Sequence, residues 1–269
     1  LDLSGRVVIG EGERDEAPML YIGEEVGRGG PEIDIALDPL EGTTLTAKAG
    51  PNALAVLAVA KRGNLLNAPD VYMNKIAIGG QYPPETVDLD KSPGENVTAL
   101  AKAKGVDPGQ VGVCVLDRPR HNDIIKDLRA VGARVHLISD GDVAGVIATT
   151  DPETNIDMYT GYGGAPEGVL AAAALRCTGG VFQGRLHFRN DDERARAHRW
   201  GIDDLDRKYD LHDLAAGDVV FAATGVTDGT LLRGVRIAGN AVRTQSVVMR
   251  AHHGTTRWIT TEYRADRRP

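Results

Sequence analysis

The chain has 269 residues, of which 42% are hydrophobic and 26% charged, and its formal net charge is -7. This length allows one large α/β domain or two smaller ones with an ample core. The acidic balance argues against a general nucleic-acid binder. No apolar run reaches the roughly 18 residues that a membrane-spanning helix needs. We therefore expect a globular protein that binds neither nucleic acid nor membrane.

Two cysteines, Cys114 and Cys177, lie in apolar segments of the sequence. Buried, reduced thiols in a cytoplasmic protein are the interpretation that we favour over a disulfide or a metal pair. The chain starts at Leu1, without Met and without a signal-like segment, and enters a predicted strand almost at once. We therefore expect the natural N-terminus to lie upstream of Leu1.

Acidic residues follow the first two predicted strands. Residues 6–9 predict a short buried strand, and Glu11 and Glu13 stand directly after it, beside glycines. A second apolar run ends at Asp38, where Pro39 is expected to stop regular strand pairing. Carboxylates at two strand ends can meet at one divalent cation, although Glu11 and Glu13 also fit an ordinary polar loop.

The bend after Asp38 contains the residue types of a metal and phosphate site. Asp38 and Glu41 are three residues apart and can turn both carboxylates toward one point, where Mg²⁺ or Mn²⁺ finds the oxygen ligands it prefers. Gly42 allows close backbone approach, and Thr43 and Thr44 offer hydroxyls and free N–H groups where a helix begins. This combination indicates phosphoryl chemistry. The alternative is an ordinary capped turn, because Asp, Gly and Thr are common turn residues.

Beyond this bend the chain predicts another strand and then a loop. Residues 53–60 are apolar throughout, which predicts a strand buried on both faces. Tyr72 is either a packed core aromatic or a ligand contact. The segment 79–94 contains three prolines. It is the predicted boundary between a metal- and phosphate-binding half, 1–94, and a substrate-binding α/β half, 95–269.

Helices and strands alternate in the second half. Helices are predicted at 96–104 and 122–131, and strands at 111–116 and 134–138. This spacing predicts a partly parallel sheet, which binds ligands at the carboxyl ends of its strands. Further along, the patterns predict a strand at 180–186, a charged helix at 191–198, closing strands at 218–224, 235–237, 241–251 and 257–263, and a polar tail at 264–269.

Charged residues follow the strands of this half. Arg118 and Arg120 flank Pro119, and guanidinium forks match the geometry of phosphate. Surface ion pairs are the alternative. Asp140 and Asp142 either cap the helix that follows them or accept hydrogen bonds from sugar hydroxyls.

Glu167 lies in the first turn of an alanine-rich helix, next to Pro166, which suits a helix start. It is either an acid that compensates the helix dipole or a further metal-facing acid. The histidine after Arg120, His121, is expected to be structural rather than a general base.

Together these segments resemble the bacterial class II (GlpX-type) fructose-1,6-bisphosphatases, within the lithium-sensitive, metal-dependent sugar and inositol phosphatases. The resemblance covers nearly the whole chain. It rests on the runs 8–13, 15–21, 38–44, 52–59, 67–70, 119–121, 140–144, 163–168 and 223–229. It implies a layered αβαβα sandwich, with two mixed sheets and helices between and outside them.

The resemblance also implies residue roles. Glu11, Asp38, Glu41 and Glu167 match metal ligands for Mg²⁺ or Mn²⁺, and Thr43 matches the residue that orients the attacking water. Matching substrate contacts are Glu41, Gly42, Thr43, Tyr72, Arg118, Pro119, Arg120, Asp140, Gly141, Asp142 and Gly164. Two departures stand out. The family's N-terminal helical segment, with another metal-binding aspartate, precedes the start of this sequence, and Arg118 stands where some members have Lys.

The implied activity is metal-dependent hydrolysis of the 1-phosphate of fructose 1,6-bisphosphate in gluconeogenesis, by direct attack of water without a phosphoenzyme. The expected partners are the sugar bisphosphate and further copies of the chain, as a dimer or tetramer. Additional activity on sedoheptulose 1,7-bisphosphate, or activity on an inositol phosphate, is an alternative within the same chemistry. A non-catalytic sugar-phosphate- or metal-binding module is the alternative of another class.

Overall fold

The structure, a computed structural model, describes residues 2–12 and 18–264. The strands are β1 (Ser4–Ile9), β2 (Glu25–Gly27), β3 (Glu32–Glu41), β4 (Leu54–Lys61), β5 (Tyr72–Ile78), β6 (Gly112–Leu116), β7 (Arg134–Ile138), β8 (Met158–Gly164), β9 (Val181–His187), β10 (Lys208–Asp210), β11 (Val220–Gly225), β12 (Arg236–Ala238), β13 (Ala241–Arg250) and β14 (Thr255–Arg264). The helices are α1 (Thr43–Ala47), α2 (Pro93–Lys104), α3 (Asn122–Ala130), α4 (Asp142–Ile147), α5 (Ala165–Thr178), α6 (Asp191–Arg199) and α7 (Leu211–Leu214). Glu13, part of the run 15–21 and the tail beyond 264 lie outside the described residues.

The first sheet has eight strands in the order β12-β13-β11-β4-β3-β1-β2, with β14 paired along β13. Its pairs are antiparallel except β1 with β3, which run parallel. Burial alternates along β4: Ala58 is fully buried, whereas its neighbour Leu57 is 40% exposed. The prediction that this strand is buried on both faces is therefore wrong. A helix covers only one face of this strand.

The second sheet has six strands in the order β10-β9-β5-β8-β6-β7. β6 runs parallel to both β7 and β8, while β5 is antiparallel to β8 and β9. The predicted partly parallel sheet is confirmed. The carboxyl ends of β6, β7, β8 and β9 consequently meet at one edge, together with the first residue of β5.

Helices separate the two sheets. The alanine-rich α5 packs against strands of both, and α4 lies beside it. Its small side chains, Ala171 to Ala174, are fully or almost fully buried, which allows the sheets to come close on either side. On the far face of the six-stranded sheet, α2 and α3 cover a second cluster that contains Ile76, Leu100, Val113 and Leu128.

The α/β sandwich with two mixed sheets and helices between them is confirmed. Among residues 2–12 and 18–264, α5 is the helix that packs extensively on the eight-stranded sheet, so no described helix forms the outermost layer over its other face. The strands β11 to β14 return to the first sheet, so the sheets divide the chain differently from the 1–94 and 95–269 halves. That domain division stays a prediction. None of the described helices is long and apolar enough to cross a bilayer.

The local predictions at Asp38 and at the cysteines have clear outcomes. β3 continues through Pro39 to Glu41, so the prediction that the strand ends at Asp38 is wrong. The pairing with β4 nevertheless shifts register between Asp38 and Glu41, which is the interruption expected from proline. Cys114 and Cys177 are free and buried, as predicted, and burial raises the pKa of their thiols to about 12 and about 11.

Candidate active site

Three carboxylates from two separate parts of the chain meet between the sheets. One oxygen each of Asp38, Glu41 and Glu167 lies within 4.8 Å of the others. Asp38 and Glu41 come from the end of β3, and Glu167 comes from the first turn of α5. We call these three residues the carboxylate cluster. The sequence predicted all three as metal ligands, and the fold brings them together.

Neighbouring backbone groups orient each of these carboxylates. The Leu40 N–H donates to Asp38 Oδ1 at 2.9 Å, which fixes the Asp38 side chain across the bend. The Val143 N–H, in the first turn of α4, donates to Glu41 Oε1 at 3.1 Å. A Cβ at Gly164 would lie 1.9 Å from Glu167 Oε2, so glycine is required where the Glu167 carboxylate folds back over the helix start.

Burial and mutual repulsion disfavour the charged forms of these groups. Burial, then the charges of Asp142 and of Glu167, raise the pKa of Glu41 well above its usual value. Burial and the Asp142 charge raise the pKa of Glu167 to about 7. Burial also raises the pKa of Asp38, against the Leu40 N–H that lowers it, with Glu11 adding repulsion. Clustered carboxylates of this kind need protons or a cation.

The donor set fits a hard divalent cation. Glu167 Oε2 is buried and has no hydrogen-bond partner among residues 2–12 and 18–264, and an unpartnered buried carboxylate oxygen is costly unless a ligand takes it. Oxygen-only ligation by carboxylates is what Mg²⁺ and Mn²⁺ prefer. The cluster can therefore hold such an ion between β3 and α5.

Glu11, the fourth predicted ligand, stands at the rim of this cluster. Ile9 of β1 pairs with Ala36 of β3, so the two parallel strands end at the same edge. The Glu11 side chain is exposed, and its charge acts on Asp38. The fold thus places Glu11 beside the cluster without including it among the three converging oxygens.

The turns before two short helices are linked by a reciprocal exchange, in which a carboxylate from each turn accepts an N–H of the other helix. Gly42 precedes α1 and Gly141 precedes α4, both with left-handed backbone angles. Asp140 Oδ2 accepts the Thr44 N–H of α1 at 3.2 Å, while Glu41 accepts a first-turn N–H of α4. The expectation of a free Thr44 N–H is therefore wrong, because Asp140 occupies it. This exchange ties the first sheet's β3–α1 turn to the second sheet's β7–α4 turn.

Thr43 lies at the start of α1, immediately after this exchange. Its side chain is exposed, and its hydroxyl makes no hydrogen bond within residues 2–12 and 18–264. One residue, Gly42, separates it from Glu41. A hydroxyl that is free and next to the carboxylate cluster can hold a water or a ligand oxygen.

Behind the cluster lies an ion pair that the sequence analysis missed. Lys75 is fully buried in β5, and its Nζ donates to Asp142 Oδ2 at 2.5 Å and to the Gly164 carbonyl at 2.8 Å. Tyr159 donates its hydroxyl to the same Asp142 oxygen at 3.3 Å. Lys75 thus links the starts of α4 and α5. A lone lysine within the apolar run 71–78 is the sequence signal that could have identified it.

Asp142 is consequently held inside the fold rather than presented to solvent. Its side chain is 7% exposed and its Oδ2 is committed to Lys75 and Tyr159. A hydroxyl contact by Asp142 stays a prediction and depends on its other oxygen. Asp140, by contrast, is only partly buried.

Guanidinium groups line the carboxyl edge of the six-stranded sheet. Arg120 donates from Nε and Nη2 to the Tyr162 carbonyl, at 3.2 and 2.9 Å, and its Cζ lies 4.8 Å from the centroid of the Tyr72 ring. Arg118 directly precedes the 3₁₀ turn that begins at Pro119. A third guanidinium, Arg189, has its Cζ 4.9 Å from the same Tyr72 centroid. We call Arg118, Arg120 and Arg189 the cationic edge.

Arg189 was missed because its position depends on strand order. It follows β9, which pairs with β5, so it reaches Tyr72 across the sheet. Its only sequence signal is an arginine just beyond a predicted strand. His121, in contrast, is buried and lies between the Leu116 carbonyl, 2.6 Å from Nδ1, and the Tyr162 N–H, which donates to Nε2 at 2.8 Å. Burial lowers its pKa, and its occupied nitrogens fit the structural role that we expected.

An α/β sandwich with clustered carboxylates, a free hydroxyl at a helix start and a cationic edge defines a metal-dependent phosphatase. The sequence model described as "Bacterial fructose-1,6-bisphosphatase, glpX-encoded" matches residues 1–263. The chain belongs to this family.

Similar proteins from cyanobacteria carry a double name. A protein of Synechococcus elongatus is 45% identical over 99% of this chain and 84% of its own length, and one from Prochlorococcus marinus is 44% identical over the same shares. Both are named D-fructose 1,6-bisphosphatase class 2/sedoheptulose 1,7-bisphosphatase. The predicted family is confirmed, and so is a phosphatase class that depends on metal.

Proposed function

We propose that this protein hydrolyses the 1-phosphate of fructose 1,6-bisphosphate to give fructose 6-phosphate and phosphate. The observation that supports this most directly is the convergence of Asp38, Glu41 and Glu167, with the exposed Thr43 two positions after Glu41 in the chain. Family membership supplies the reaction class. The proposed site of hydrolysis lies between the carboxylate cluster and the start of α1.

The residues would act as follows. Asp38, Glu41 and Glu167 would hold Mg²⁺ or Mn²⁺, with Glu11 as a further ligand at the rim. The ion, when bound, would neutralise phosphoryl oxygens and increase the acidity of the attacking water. Thr43 would accept or donate a hydrogen bond that keeps this water in line with the phosphorus.

The remaining predicted contacts would position the sugar. Arg118 and Arg120 would bind the phosphate that is not hydrolysed, and Tyr72 would pack beside it. Asp140 is only partly buried and would accept sugar hydroxyls, with the free oxygen of Asp142 behind it. Positioning of this kind can contribute several kcal/mol of the roughly 7–11 that proximity offers.

A second substrate, sedoheptulose 1,7-bisphosphate, is favoured by the names of the cyanobacterial relatives. Both sugars carry terminal phosphates, so the same two charged regions would receive them. An inositol phosphate has no comparable support.

Phosphate release tests the proposal. We expect release from fructose 1,6-bisphosphate with Mg²⁺ or Mn²⁺ and none with excess chelator, and slower release from sedoheptulose 1,7-bisphosphate. Tight calorimetric binding of the bisphosphate without any release would instead identify a non-catalytic binding module.

Two further predictions accompany this function. A cytoplasmic location is supported by two buried, unpaired thiols. A homodimer or homotetramer is supported by exposed Ile259 and Tyr263, which share one face of β14, and by exposed Trp258 on its other face, since exposed apolar side chains often mark protein contacts. Light scattering of the purified protein tests the second of these, and fractionation of cells tests the first.

A further inference from the structure

Arg189 lies at the same sheet edge as the predicted phosphate contacts. Tyr72, the first residue of β5, has Gly164 of β8 as its partner on one side and His187 of β9 on the other. Arg189 follows His187 by two residues, and Arg120 comes from the loop after β6. Both guanidiniums lie within 5 Å of the Tyr72 ring centroid, at 4.8 and 4.9 Å. The Tyr72 ring therefore contacts two guanidinium groups.

A buried carboxylate fixes the Arg189 side chain. Arg189 Nε donates to Glu193 Oε1 at 2.6 Å, and Nη2 lies 2.5 Å from the same oxygen. The backbone N–H of Arg189 donates to Glu193 Oε2 at 2.7 Å. Glu193 is almost fully buried, so it is anchored in the protein while Arg189 remains 55% exposed. An arginine held in this way loses little further freedom when it binds a ligand.

Both guanidiniums keep one nitrogen available. Arg120 uses Nε and Nη2 for the Tyr162 carbonyl, and Arg189 uses the same two atoms for Glu193. Within residues 2–12 and 18–264, Nη1 of neither residue makes a hydrogen bond. Two oriented donors that flank one aromatic ring suit a phosphate, which offers several acceptor oxygens.

Both charged groups of the site lie close to Tyr72. The Tyr72 partner Gly164 immediately precedes α5, which carries Glu167 of the carboxylate cluster. Arg189 comes from the β9 side of Tyr72, whereas Arg118 and Arg120 come from the loop after β6, on the Gly164 side. Glu193 neutralises one of these three positive charges. A substrate with a phosphate at each end matches both regions. The carboxylate cluster would bind one phosphate through a divalent cation, and the cationic edge would bind the other directly through its guanidinium groups.

We propose that Arg189, oriented by Glu193, binds the phosphate that is not hydrolysed and sets the preference for sugar bisphosphates over sugar monophosphates. This inference rests on the function proposed above. Arg189 acts with Arg120, since both guanidiniums lie against the Tyr72 ring. Glu193 is a positioning residue that does not touch the substrate.

The test compares Arg189→Gln with Arg194→Gln. Arg194 is a matched control, since it lies five residues further on, is 46% exposed and has a surface acid, Asp191, as its partner. For fructose 1,6-bisphosphate we expect Arg189→Gln to raise KM about tenfold, because a lost hydrogen bond to a charged group corresponds to about this factor. We expect kcat to stay within about twofold and Arg194→Gln to behave like the unmodified protein.

Substrate comparison separates specificity from general damage. With fructose 1-phosphate, which lacks the second phosphate, Arg189→Gln should leave KM and kcat as in the unmodified protein. Arg189→Lys should restore part of the bisphosphate KM, because it keeps the charge but loses the fork. Glu193→Gln should raise the bisphosphate KM about threefold with kcat unchanged, since it weakens the orientation of Arg189.

Binding of fructose 6-phosphate keeps the test independent of turnover. By calorimetry we expect Arg189→Gln to weaken this binding about tenfold relative to Arg194→Gln. Absence of phosphate release by the unmodified protein would overturn the proposed hydrolysis, and this binding difference would still support Arg189. Unchanged fructose 6-phosphate affinity, or equal loss on both substrates, would overturn the role of Arg189 while release from the bisphosphate upheld the proposed function.

Discussion

The carboxylate cluster and the cationic edge meet at the carboxyl edge of the six-stranded sheet, yet they differ in burial. Glu41 is buried and Glu167 is partly buried between the sheets, and their pKa values are raised because the charged form is poorly solvated. The guanidiniums of Arg120 and Arg189 stand at the exposed edge and are oriented by a carbonyl and a carboxylate. The clustered carboxylates need a metal cation before they can bind a phosphate, whereas the exposed guanidiniums can bind a phosphate directly.

This difference predicts that changes in the cluster have large effects on chemistry. Glu167→Gln keeps the side-chain shape and removes one negative oxygen from the proposed metal site. We expect kcat to fall about 10³-fold, since metal stabilisation of the transition state is worth several kcal/mol. The assay is phosphate release from fructose 1,6-bisphosphate at saturating Mn²⁺, combined with calorimetric titration of Mn²⁺.

The control for this change is Glu153→Gln, at an exposed acid outside the site. It should retain full activity and full Mn²⁺ affinity. Wild-type activity and Mn²⁺ affinity in Glu167→Gln would remove this residue from the metal site.

The buried ion pair behind the cluster predicts a large effect on stability. Lys75→Met leaves Asp142 buried without its cation, next to Glu41 and Glu167. Breaking one side of a buried pair costs about 3 kcal/mol or more, so we expect the free energy of unfolding in urea to fall by that amount. The double variant Lys75→Met/Asp142→Asn should recover part of the loss, because the remaining charge is also removed.

The exposed pair Arg243–Glu262 is the comparison for Lys75. Its side chains are 60% and 55% exposed, and Arg243→Met should cost at most about 1 kcal/mol. Equal losses in Lys75→Met and Arg243→Met would show that burial of the Lys75 pair has no energetic consequence.

Local patterns explain how much of the molecule the sequence revealed. The start of α5 and the strand ends before Arg120 and Asp140 were predictable, because turn residues and hydrophobic periodicity act over a few residues. The meeting of Asp38 with Glu167 followed from the resemblance rather than from spacing. Pro39 showed that the strand is disturbed, but a register shift within a continuing strand depends on the partner β4.

Long-range strand order explains what the sequence did not reveal. Arg189 reaches Tyr72 because β9 pairs with β5, and Lys75 reaches Asp142 because α4 packs beside the same sheet. The partner of the Thr44 N–H is Asp140, 96 residues away. Such contacts follow from the order of strands in two sheets, which a single sequence leaves open.

Between these two regions, the hydroxyl of Thr43 predicts an intermediate effect. Thr43→Ala removes the only side-chain oxygen of this residue, and loss of one oriented hydrogen-bonding group in a site lowers kcat about 10²-fold. Thr43→Ser keeps the oxygen and should retain kcat within about threefold, with the same Mn²⁺ affinity as the unmodified protein. Equal turnover in the Thr, Ser and Ala forms would remove Thr43 from the mechanism.

The smallest expected effect concerns the stability of the metal-free protein against pH. Burial and the Asp142 charge raise the pKa of Glu167 to about 7, from 4.5. Between these two values the folded form holds a proton that the unfolded form has lost, so the unfolding free energy falls as pH rises from about 5 to 7. With chelator present, we expect Tm to be about 5 °C lower at pH 8 than at pH 5.

Mn²⁺ should reduce this difference in Tm, because a cation replaces the proton. Glu167→Gln should show a smaller pH dependence of Tm than the unmodified protein. Parallel Tm curves for these two proteins in chelator would show that Glu167 ionises in the folded protein as it does in the unfolded chain, contrary to its enclosure between β3 and α5.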